Sequence, residues 1–65
     1  MENQKWYFFT EFTNGTIRLY ETQVCKNPDR TNNYKFLLEI LEFDNVKSVG
    51  YSIDNSWNGR IINTK

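Results

Sequence analysis

The chain contains no histidine and a single cysteine, Cys25. A disulfide within one chain is therefore excluded, and a small secreted domain would ordinarily carry paired cysteines. We expect a reducing, cytoplasmic setting. One thiol without histidine cannot build the usual zinc site. The nearest approach to a calcium loop is Asp54, Asn55, Ser56 and Asn58, and no glutamate follows at EF-hand spacing. These residues read as a turn. No metal and no cofactor are expected. Apolar runs reach only four residues, far short of a membrane span, and the opening Met-Glu-Asn-Gln-Lys lacks signal-peptide character. Eight basic and eight acidic residues are interspersed, with a formal net charge of zero. The basic face that drives strong duplex-DNA binding is not evident.

With 65 residues, one small domain is expected over 1–65. So short a chain is marginally stable without disulfides, metal, oligomerisation or a dense core. Aromatic residues make up 17% of the chain, which points to a few heavy anchors. Asparagine occurs nine times, a bias of AT-rich codons that suits a bacterial or phage origin.

Residues 5–13 are aromatic and β-branched, as strands prefer. Alternation puts Trp6, Phe8, Thr10 and Phe12 on one face, and Tyr7, Phe9 and Glu11 on the other. Asn14-Gly15 predicts a type I′ turn, and residues 16–24 return as the second strand. Strict alternation there gives Ile17 and Leu19 to the core, and Arg18, Tyr20 and Thr22 to the opposite face. Residues 25–33 are polar, and Asn27-Pro28-Asp29 fits a helix start. In 34–43 the polar residues Lys35, Glu39 and Glu42 form one helical stripe opposite Tyr34, Leu37, Leu38 and Leu41. A helix is expected, beginning only near residue 32 because Thr31, Asn32 and Asn33 are weak helix formers; a third strand is the competing reading. Residues 46–53 read as a strand directing Val49, Tyr51 and Ile53 to the core, with Gly50 marking a bulge or close approach. Asn58-Gly59 suggests another turn before a last strand at 60–63.

The fold class is therefore α+β: a four-stranded antiparallel sheet in ββαββ order with one helix on one face. The alternative is an all-β five-stranded meander or small barrel. The uncovered sheet face would carry Tyr7, Phe9, Arg18 and Tyr20, with Trp57 and Arg60 as further binding candidates. These residues suit a protein interface, a platform for stacking bases, or ordinary cross-strand pairs. Lys26 and Arg30 flank the helix start, where an anion would be favoured. Catalysis is not expected, because Cys25 has no histidine to activate it and Glu39 and Glu42 have helix-surface spacing.

The expected function is a small non-enzymatic binding protein, an interaction or inhibitor module of the kind phages and mobile elements direct at a host protein. Another protein is the expected partner, together with self-association into a homo-oligomer. Two alternatives accompany it: a single-stranded nucleic-acid binder using the aromatic sheet face, and a sequesterer of a nucleotide-like ligand at a subunit interface. No membrane partner is expected.

Overall fold

The computed structural model describes residues 3–54 and 61–64. The elements run β1 (Gln4–Phe12), β2 (Ile17–Cys25), a 3-10 turn (Pro28–Arg30), α1 (Asn32–Ile40), β3 (Val46–Ser52) and β4 (Ile61–Thr64). The strands form one antiparallel sheet in the order β2-β1-β3-β4. The ββαββ expectation holds, and residues 34–40 are helical rather than a third strand.

The first hairpin closes differently from the type I′ expectation. Asn14 does not take a positive φ; only Gly15 does, at 92°. The Gly15 N–H donates to the Phe12 carbonyl (2.9 Å) and the Phe12 N–H to the Thr16 carbonyl (2.8 Å). This is a three-residue loop with a left-handed glycine at its end. Asn14 instead uses its side chain, accepting from the Thr16 N–H at 2.9 Å.

The helix begins at Asn32, where the weak helix formers Thr31, Asn32 and Asn33 set its expected start, but Asn27 does not cap it. Its side chain makes no cap hydrogen bond, and Pro28–Arg30 forms only a 3-10 turn. Thr31 is the true cap: its Oγ1 accepts from the Tyr34 N–H (3.2 Å) and donates to the Pro28 carbonyl (2.7 Å). Thr31→Ala removes both bonds and is expected to cost about 1 kcal/mol, within the usual range of roughly 0.5–2. Urea denaturation with circular dichroism measures it. At the other end α1 stops at Ile40, and Glu42 and Phe43 donate back to the Glu39 and Ile40 carbonyls in tight turns. Residues 41–43 are thus turn, not helix.

The core lies between α1 and one sheet face. Phe8, Leu37, Val46 and Val49 are essentially inaccessible, and Tyr34 and Tyr51 are buried beside them. Trp6, Phe12, Ile40 and Leu41 pack around this cluster. A fully buried Phe, Leu or Val contributes roughly 1.5–3 kcal/mol by leaving water. Four residues expected inside are exposed: Ile17 and Leu19 on β2, and Leu38 and Ile53. Ile53 follows the end of β3, and Leu38 sits on the solvent flank of α1. Gly50 pairs in register with Phe9 and marks no bulge; the irregularity between β1 and β3 falls at Lys47, where Glu11 pairs with Ser48 but Phe12 pairs with Val46.

Tyr51 is the aromatic hub. Its ring meets Trp6 edge-on (5.4 Å, 87°), Tyr34 edge-on (5.2 Å, 84°) and Phe8 at a tilt (6.2 Å, 58°). The Tyr34 hydroxyl accepts a hydrogen bond from the Asn63 side chain, tying α1 to β4. Trp6 Nε1 donates to the Cys25 carbonyl at 3.1 Å, fastening the end of β2.

Candidate functional site

The strand at the edge of the sheet decides where a surface can form. Along β1 and β2 the partners run Tyr7–Thr22 and Phe8–Glu21, then Phe9–Leu19, Thr10–Arg18 and Glu11–Ile17. Tyr20 is the extra residue of a β-bulge. A bulge shifts the alternation by one, so every side chain on its far side changes face. Ile17 and Leu19 therefore share the face of Tyr7, Phe9 and Glu11. Arg18 lies opposite Thr10, on the helix side.

This overturns the single cluster expected from alternation. Tyr7 and Phe9 lie on one face; Arg18 and Tyr20 lie on the other. Tyr20 stacks on Phe36 of α1, with ring centroids 5.7 Å apart and planes 24° apart. Gln23, also on the helix side, accepts from the Asn33 side chain at 2.9 Å. A stacking platform built jointly from the four residues is excluded by this division. Trp57 and Arg60 lie outside the described residues, as does the Asn58-Gly59 turn.

The face away from the helix is also less open than expected. Phe9 is 5% exposed, and Ser48 and Ser52 are buried there. Ser48 Oγ donates to Glu11 Oε1 at 2.7 Å. Tyr7 is half-buried, with the Lys5 ammonium 5.3 Å from its ring centroid. Among the described residues, the large apolar side chains exposed on this face are those of β2: Ile17, Leu19 (47%) and Val24 (62%). On the helix side Tyr20 and Phe36 (48%) are exposed along the same edge. The edge strand thus carries accessible apolar side chains on both faces. Ile17, Leu19, Val24 and Phe36 were absent from the sequence candidates, because apolar residues in a strand or helix read first as core.

Burial pushes the Cys25 thiol up, which keeps it protonated at neutral pH and weakly nucleophilic. Burial also raises the Tyr34 phenol; the Asn63 hydrogen bond works against the rise and Asp29 adds to it. Tyr51 is raised by burial, then by Asp29 and by Tyr34. A phenol with a raised folded-state pKa favours folding below its ordinary value near 10 and loses that contribution as pH climbs through the folded-state value. Stability is therefore expected to fall on the alkaline side. Phenolate absorbance should show two tyrosines titrating late, their ionisation coinciding with loss of near-ultraviolet dichroism.

Lys26 and Arg30 flank a 3-10 turn rather than the start of α1, whose Tyr34 N–H is already held by Thr31. Among the described residues no cluster of His, Cys, Asp and Glu could hold a metal ion, and no pocket is found. No described helix is long and apolar enough to cross a membrane. Comparison with protein-family models, curated proteins and solved structures found no match to this chain.

Proposed function

We propose that this chain is a non-enzymatic protein-binding module that presents the outer edge of β2 to a partner, and acts by blocking or bridging what it binds. The observation that carries the reading is the concentration of exposed apolar side chains along that edge, on both faces of the sheet. Strand addition suits such an edge. Main-chain hydrogen bonds supply affinity, and flanking side chains supply selectivity. Nearby exposed apolar groups also gain by leaving water together.

In-cell photo-cross-linking tests the reading. A benzophenone amino acid replacing Leu19 is expected to give protein adducts, while the same group at exposed Lys47 gives none. Absence of any adduct from Leu19, or equal capture from Lys47, would overturn it.

A further inference from the structure

We infer that the strand received by β2 is β2 of a second copy, antiparallel and in one register. This rests on β2 being the binding edge, and it names the partner.

The phase of the hydrogen bonding comes first. The Phe12 N–H bonds the Thr16 carbonyl, so this pair is of the bonded kind. Antiparallel pairs alternate between bonded and non-bonded. Thr10–Arg18 is then bonded, whereas Glu11–Ile17 and Phe9–Leu19 are not. Beyond the bulge, Phe8 bonds to the bulged segment, and Tyr7–Thr22 and Lys5–Val24 are again non-bonded. Ile17, Leu19, Thr22 and Val24 therefore turn their N–H and C=O groups away from β1. The Thr22 N–H agrees: it donates to Glu21 Oε1 at 3.0 Å.

This outward row matches itself under a two-fold axis. With the axis at the bulge, between Tyr20 and Glu21, Ile17 meets Val24 of the second copy and Leu19 meets its Thr22. Sliding the strands breaks the match, because the bulge interrupts the even spacing of outward groups. No other register sets all of them against outward groups of the second copy. The bulge, which disturbs pairing within the chain, thus specifies pairing between chains.

Side chains follow the same register. On the face away from the helix, Ile17 and Leu19 of one copy join Val24 of the other in a shared apolar strip. On the helix face Arg18 opposes Gln23 and stands diagonal to Glu21 of the second copy, and the arrangement occurs twice. Opposite charges meet and like charges are not directly opposed. The Glu21 carboxylate gives up the Thr22 N–H to the incoming Leu19 carbonyl and takes the guanidinium instead. Two four-stranded sheets would join into one.

Disulfide trapping in purified protein tests the register, in a Cys25→Ser background. Directly opposed bonded residues have Cα atoms about 5.5 Å apart, within disulfide reach. Diagonal residues lie roughly 7–8 Å apart, too far to bridge. Ile17→Cys with Val24→Cys is expected to give a covalent dimer on oxidation; Leu19→Cys with Val24→Cys is not. Light scattering of the unmodified chain is expected to rise toward twice the monomer mass with concentration. Leu19→Pro removes an outward N–H without touching the bonds to β1, and is expected to stay folded and monomeric. A monomer at every concentration, or equal trapping by the two cysteine pairs, would overturn the inference. If the chain is monomeric and Leu19 captures a different protein in cells, the second copy is excluded while the binding edge stands.

Discussion

Phe8→Ala is expected to abolish most of the folded population. Phe8 is completely buried at the centre of β1, with Tyr51 opposite it on β3 and α1 above. Removing a buried aromatic ring costs about 3–5 kcal/mol through lost burial and the cavity left behind. A domain of this length holds roughly 3–10 kcal/mol in total, at about 0.05–0.15 kcal/mol per residue. The loss is therefore comparable with the whole. Circular dichroism during urea titration reads the effect, and Phe8→Leu is expected to retain a cooperative transition at lower stability. A Phe8→Ala transition within about 1 kcal/mol of the parent would mean that α1 is not seated on this face.

Tyr51→Ala is expected to be nearly as damaging, also about 3–5 kcal/mol, because one deletion strips contacts from three rings. Tyr51→Phe keeps the ring and should fall well short of that loss. A double-mutant cycle pairing Tyr51→Ala with Trp6→Leu separates ring-on-ring contact from simple burial. The edge-on pair should show a coupling of about 0.5–1.5 kcal/mol. Strict additivity would mean the two rings contribute only by area. Guanidinium melts followed by Trp6 fluorescence are unsuitable for the Trp6 variants, so far-ultraviolet dichroism is the common measurement.

The order of elements was legible because its signals are local. Asn14-Gly15 marks a reversal whatever the turn type, and the polar stripe of Lys35, Glu39 and Glu42 has a helical period. Phe8, Leu37, Val49 and Tyr51 were placed inside correctly for the same reason: each follows from periodicity within its own segment. The site was not legible, because it depends on Tyr20. No residue in Leu-Tyr-Glu-Thr announces a bulge, which arises when β1 and β2 are laid side by side. Once it is in place, Leu19 moves to the solvent-facing strip and Tyr20 moves under Phe36. One pairing irregularity thus reassigns the residues on which a functional argument depends. Thr31 was overlooked as the cap for a related reason: Asn27-Pro28-Asp29 is the stronger textual start, yet it supports only a 3-10 turn.

The position of β1 bears on how the molecule assembles. It is flanked by β2, its neighbour through a short loop, and by β3, which returns only after the polar connection and α1. Closing the short loop costs little chain entropy, so the first hairpin can form and dissolve rapidly on its own. It buries almost nothing until β3 arrives, because Phe8 needs Tyr51 and Leu37 to leave water. The rate-limiting event is then expected to be the docking of β3 and α1 onto the first hairpin. Substitutions at Phe8 and Tyr51 should slow folding.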